Sequence, residues 1–173
     1  MAEHGVLLRE RAEGDAPAIR RLLIDAFEGE AECRLVESLY AAQALTVERL
    51  AEEDGQVIGY CAMSPARLAP PSGQPVFGLA PLAVAPGRQG RGIGGRLVKE
   101  SLEAVEIAHP GSAVILLGEP AYYARFGFAP AARYAIEWDG GAVGDAFQIL
   151  GATAPEDGLR RTAFYHPAFS DLS

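Results

Sequence analysis

The stretch Arg88-Gln89-Gly90-Arg91-Gly92-Ile93-Gly94-Gly95-Arg96-Leu97-Val98-Lys99 concentrates the chemistry of this chain. It carries four cations and no acid, in a protein whose formal net charge is −8. It joins the end of an apolar strand to the start of a helix. Glycines lack a Cβ, so main-chain amides can close around an anion, and a helix N-terminus adds positive potential. A phosphate or diphosphate ligand is the natural reading. The plainer alternative is a tight turn beside a solvated basic helix face.

Which phosphate ligand is a question of spacing. Gly90 to Gly95 matches GxGxxG, the dinucleotide fingerprint, and Glu119 sits at the end of the next strand, where a ribose ligand is expected. A lone GxGxxG is a weak signal. Here only 78 of the 173 residues follow Gly95, too few to complete a doubly wound sheet. Pro86-Gly87-Arg88-Gln89 also intervene where the fingerprint wants an immediate turn. A P-loop needs GxxxxGK[ST], and no such string occurs.

The elements that must position this turn are legible around it. Residues 6–12 read as a first strand. Asp15 caps a helix with Pro17 early in it, and Ile19, Leu22, Leu23, Ala26 and Phe27 form its buried stripe. A second helix runs over 31–41, with Leu35, Val36 and Leu39 inward. Strands over 45–53 and 56–64 flank Asp54-Gly55, a strong hairpin signal. A Pro/Gly-rich loop at 69–75 leads to a strand over 76–84. Pro81 inside it marks an edge or a bulge, because proline cannot donate to a ladder. A helix over 92–108 and a strand over 113–117, apolar and buried on both faces, complete a parallel crossover. A helical turn over 120–125, re-entry at 126–128 and strands near 134–138 and 146–151 finish the chain. The fold class is α/β in the α+β sense, a single domain over residues 1–173. Its sheet is mixed and mostly antiparallel, with one parallel pair in the middle.

Composition narrows the setting. Hydrophobic residues make up 49% and charged residues 22%, ordinary globular values. No apolar run approaches the ~20 residues of a membrane span, and Met1-Ala2-Glu3-His4-Gly5 lacks the pattern of a secretory signal. A cytoplasmic, reduced protein is expected, with no membrane partner. A pI of about 4.9 argues against nucleic acid. Cys33 and Cys61 are too few for a disulfide scaffold and read as small buried hydrophobes. His4, His109 and His166 are scattered, so no metal site is expected.

One further pattern covers more of the chain. Leu82-Ala83-Val84-Ala85-Pro86, followed by Gln89-x-x-Gly92-x-Gly94, resembles the (Q/R)xxGx(G/A) signature of the GNAT superfamily of N-acetyltransferases. Leu117 to Phe128 is similar to that family's second cofactor motif, a tyrosine four residues before Gly-Phe. One helix and one strand separate the halves, as in the family, and the element order matches from about residue 6 to 137. The ending, Phe164 to Phe169, resembles a small bacterial branch.

The resemblance implies acetyl-coenzyme A as cosubstrate and no metal. It implies a splayed central parallel pair whose gap takes the pantetheine arm, with main-chain groups of Leu82, Ala83 and Val84 along it. It places the diphosphate on the amides of Gln89, Gly90, Arg91, Gly92, Ile93, Gly94 and Gly95. Arg88, Arg91 and Arg96 become candidates for charge neutralisation. It implies acyl transfer to a primary amine by direct attack, with a backbone amide of the splayed strand for the oxyanion and Tyr123 as general acid to the thiolate. An alkyl amine has a pKa near ~10, so attack needs a base. Many relatives carry a carboxylate near the position of Gly78, and this chain does not. Glu119, just past the parallel strand, is the best substitute, and equally reads as a plain loop carboxylate. Glu28, Glu30 and Glu32 fall where relatives shape the acceptor site, although three spaced acids more often form a solvated face. The acceptor is a small-molecule or peptide amine of unknown identity, and a homodimer is compatible with the family. The missing carboxylate keeps open a non-catalytic acyl-coenzyme A binding module.

Overall fold

A computed structural model describes residues 5–153 and 156–172. In chain order the elements are β1 (Leu7–Glu10), α1 (Ala16–Phe27), α2 (Ala31–Ala41), β2 (Val47–Glu53), β3 (Gln56–Ala69), β4 (Val76–Val84), α3 (Ile93–Ala108), β5 (Ala113–Leu117), α4 (Pro120–Tyr123), β6 (Ala129–Pro130), β7 (Ile136–Trp138), β8 (Phe147–Leu150) and β9 (Arg161–Phe164). Short 3-10 turns lie between them, and one over Pro167–Leu172 comes after β9. The chain forms two compact units. One comprises Met1–Met63, Ala80–Val105 and Pro167–Ser173, the other Ser64–Leu79 and Glu106–His166.

In the first unit the strands run in the order β1-β2-β3-β4, and β1-β2 and β2-β3 are antiparallel. Asp54 and Gly55 both take positive φ, 51° and 75°, the backbone of a tight hairpin turn, so Glu53 pairs with Gln56. The ladder slips between Ala51 and Glu52: Ala51 faces Gly59 but Glu52 faces Val57, which leaves Ile58 as the extra residue of a β-bulge. Ile19, Leu22 and Leu23 of α1 and Cys33 and Val36 of α2 pack on Leu50, Tyr60, Ala62 and Ala83. Leu35 and Leu39 pack with Ala44 against Ala168 and Phe169.

In the second unit the order is β4-β5-β8-β6. The β4-β5 pair is parallel, as expected, and its ladder spans only Val76–Ala113 to Gly78–Ile115. The rest of β4, including Pro81, continues past that register. A second, short parallel ladder joins β7 to β9, and β9 pairs with Arg67 to Ala69 of β3. Val76, Ala113, Ile115, Phe147 and Ile149 centre this unit's core.

Several local expectations need correction. β3 continues five residues beyond Ser64, because the segment after Pro65 finds a partner in β9. Residues 126–128 do not re-enter the sheet: a 3-10 turn ends at Phe126, Gly127 turns left-handed, and pairing resumes only at Ala129. Leu117 is 39% exposed, so β5 is buried on both faces only over its first four residues. Phe27 is also 39% exposed, because α1 ends there and Glu28 turns the chain away with φ of 55°. Asp15 occupies the N-cap of α1 without bonding its amides. Its carboxylate instead accepts from Ala12 N at 2.7 Å and from Arg9 at 2.7 and 2.9 Å.

Candidate functional site

The glycine-rich turn belongs to the first unit and is built from β4 outward. Along the end of β4, Leu82 and Val84 are partly exposed, while Ala83 between them is buried in the core. This is ordinary strand alternation, and it puts the side chains of Leu82 and Val84 on one face. Ala85 N donates to Ile58 O at 2.8 Å. The carbonyl of the bulged residue, set apart from the β2 ladder, therefore tethers the chain just ahead of the turn. Gln89 Nε2 donates to Val84 O at 3.1 Å and ties the turn back to its own strand.

Gly90 and Gly92 take φ of 74° and 78°, the left-handed region that side chains resist. A Cβ on either would meet nothing within 4 Å, so these positions border open space. The first intrahelical bond of α3 runs from Arg96 N to Gly92 O. The amides of Ile93, Gly94 and Gly95 precede it, and no acid occupies the helix's first turn. Main-chain donors, open space and a positive helix end fit an anionic diphosphate.

The cations are placed differently from the sequence reading. Glu53, at the end of β2, accepts from Arg88 Nε and, at 2.8 Å, from Arg91 Nη2. Arg91 Nη1 adds a longer contact of 3.4 Å. The Glu53 side chain is 10% exposed. Arg91 first and Arg88 second hold its carboxyl below the ordinary value, and Glu53 in turn raises Arg91. Arg96 donates to Val6 O at 3.3 Å. A turn without acids in sequence thus has one in space, and Arg88, Arg91 and Glu53 together sum to +1.

Tyr123 and Glu119 belong to the second unit. Glu119 is exposed and caps α4, its side chain accepting from Ala121 N at 3.4 Å. The half-buried ring of Tyr123 lies against Gly118 and meets Phe128 edge-on at 5.9 Å and Tyr122 at 4.8 Å. Gln148, buried, donates to Gly118 O at 3.1 Å and steadies that backbone. Gly78 lies under the ring of Tyr165, where a Cβ would come within 2.6 Å of Cδ1. Burial, and secondarily Tyr123, push the Tyr165 phenol above its usual range. The place where relatives were expected to carry a carboxylate is filled by an aromatic ring.

The remaining candidates resolve simply. Glu30 pairs with Arg20 at 3.1 Å, while Glu28 is an exposed helix-end residue. A cavity of about 150 Å³ lies between α1 and α2, and Ile19, Leu23, Cys33, Val36 and Tyr40 help line it. Cys33 and Cys61 are buried. Cys33 Sγ donates to Arg20 O at 3.3 Å, and burial raises its thiol and pushes Cys61 up to about 12. Both are therefore poor sources of thiolate. His4 lies outside the described residues. Among the described residues no three His, Cys, Asp or Glu side chains converge as metal ligands, and no helix is long and apolar enough to cross a membrane.

Glu53 and Ile58 escaped the sequence reading, since nothing local links residues 53 and 58 to a turn some thirty positions on. Tyr165 falls inside the terminal segment Phe164 to Phe169, without any sign in the sequence of which glycine it covers.

Comparison with known proteins agrees with this architecture. Residues 46–130 match the family described as the acetyltransferase (GNAT) domain. The chain is 40% identical over 146 residues to the uncharacterised N-acetyltransferase YhbS of Escherichia coli strain K12, covering 83% of this chain and 86% of that protein. The crystal structure of E. coli YhbS in complex with CoA superposes with a TM-score of 0.83 at 38% identity, covering 95% of this chain and 92% of that one. A GNAT family acetyltransferase from Brucella melitensis in complex with acetyl-CoA gives 0.76 at 36% identity, covering 96% and 99%. The chain belongs to the GNAT family of N-acetyltransferases, and is an acyltransferase.

Proposed function

We propose that this enzyme transfers an acetyl group from acetyl-coenzyme A to a primary amine by direct attack, without a covalent enzyme intermediate. The observation that carries the reading is the turn over residues 89–95, whose main-chain donors and open glycines suit a diphosphate. The CoA and acetyl-CoA complexes of similar proteins support it. On this reading the amides of Gln89, Gly90, Arg91, Gly92, Ile93, Gly94 and Gly95 hold the diphosphate. Main-chain groups of Leu82, Ala83 and Val84 hold the pantetheine arm.

The bound thioester supplies an activated acyl group. The protein's own part is to orient it and to move two protons. Glu119, on the solvent side of α4, takes a proton from the incoming ammonium through water, giving the neutral amine that attacks. As the new C–N bond forms and the C–S bond breaks, the Tyr123 hydroxyl gives a proton to the departing sulfur and is restored by the second proton that the new amide nitrogen sheds through water. No residue contributes a bond to the acyl group. The acceptor is a small molecule or a peptide amine.

Coenzyme A release across a panel of amines tests the proposal. Release dependent on an amine, with equimolar acetylated product, is expected. Tight acetyl-CoA binding with no amine-dependent release would replace the reading with an acyl-coenzyme A binding module.

A further inference from the structure

We infer that Glu53 is the positioning residue of the diphosphate turn: its carboxylate clamps Arg88 and Arg91 on either side of Gly90 and sets the conformation in which the turn's amides meet the ligand. This rests on the placement of the diphosphate proposed above.

The geometry has three parts. Both carboxylate oxygens are engaged, Oε2 by Arg88 Nε and Oε1 by Arg91 Nη2, so one acid bridges two points of a four-residue turn. Gln89 ties the turn to Val84 O, but its glycines add no side-chain packing, since a side chain on Gly90 or Gly92 would touch nothing. The acid itself stands on a firm base. It ends β2, pairs with Gln56 across a tight turn, and its side chain is nearly covered. Charge-assisted bonds to a fixed strand thus replace the packing that glycines cannot provide. Ordering the turn before the ligand arrives removes an entropic penalty from binding. The clamp also leaves a net charge of +1 beside the ligand, so it does not cancel the attraction for phosphate. A competing role, in which Glu53 merely occupies cations the diphosphate would otherwise take, predicts the opposite sign.

The test uses the full chain with Glu53→Ala and the near-isosteric Glu53→Gln, which keeps the fold if the alanine variant loses it. In the free protein, amides 88–95 should exchange hydrogen faster in the variants than in the wild type. Acetyl-CoA affinity, by calorimetry, should fall about tenfold in Glu53→Ala, with Glu53→Gln between. The ratio of kcat/KM for acetyl-CoA over an acetyl thioester lacking the diphosphate should fall about as far. Unchanged exchange, tighter acetyl-CoA binding, or an unchanged donor ratio would each overturn the inference. Gly92→Asp serves as the control for the underlying placement. If it abolishes acetyl-CoA binding while Glu53→Ala does not weaken it, the site stands and the clamp falls.

Discussion

The ring of Tyr165 lies on Gly78 so closely that a Cβ there would fall 2.6 Å from Cδ1 and 2.8 Å from Cε1. The absence of an acid from this strand position is therefore a packing choice, because the ring occupies the volume. Restoring a carboxylate by Gly78→Glu should destabilise the fold by ~1–3 kcal/mol, the usual range for overpacking. The loss in urea denaturation should be smaller in a Tyr165→Ala background. Equal losses in both backgrounds would mean that the ring is not what excludes the side chain.

Tyr123→Phe keeps the ring on Gly118 and against Phe128, and removes only the hydroxyl. Turnover should fall by about 10²–10⁴-fold, the span of general acid catalysis, with acetyl-CoA affinity nearly unaltered. Single-turnover kinetics beside calorimetry separates the two. Turnover at the wild-type level would remove Tyr123 from the proton path.

Gly92→Asp places a strained left-handed residue and a negative charge at the turn, where φ is 78°. The strain alone is worth ~1–2 kcal/mol. Acetyl-CoA should no longer raise the melting temperature of this variant, although it raises that of the wild type. A retained thermal shift would show that the diphosphate binds elsewhere.

Asp15 links the β1 end to α1 through Arg9, whose guanidinium holds the carboxyl down to about 2, against an ordinary 3.8. A depressed carboxylate stabilises the fold fully above its unfolded value, and that contribution disappears as pH falls through the folded one. Wild-type stability should thus lose on the order of 1 kcal/mol between pH ~4 and ~2, after allowance for solvent screening. Asp15→Asn should be less stable than wild type at pH 7 and converge with it near pH 2 in urea titrations. A constant difference over that range would refute the linkage.

Much of this molecule is legible in its sequence. The bounds of α2, β4 and β5 come from periodicity and punctuation, and the Asp54-Gly55 turn from its dipeptide. The glycine turn stands out because its local composition departs so far from the rest of the chain. The features that escape are set by distant partners. The extension of β3 needs β9, the engagement of Arg88 and Arg91 needs Glu53, and the covering of Gly78 needs Tyr165. Each joins residues at least 35 positions apart, and hydrophobic period or turn chemistry carries no record of such pairings.

The bulge at Ile58 has a wider bearing. With its carbonyl bound to Ala85 and Glu53 five residues before it, the β2-β3 hairpin grips the glycine-rich turn at two places whose spacing depends on one surplus residue. Removing that residue would leave Val57 and Gly59 as neighbours in an uninterrupted ladder and take away the carbonyl that holds Ala85. On the proposed placement of the diphosphate, the length of a strand outside the glycine motif sets how the turn is held, and a single-codon deletion there should be read out as lost acetyl-CoA affinity.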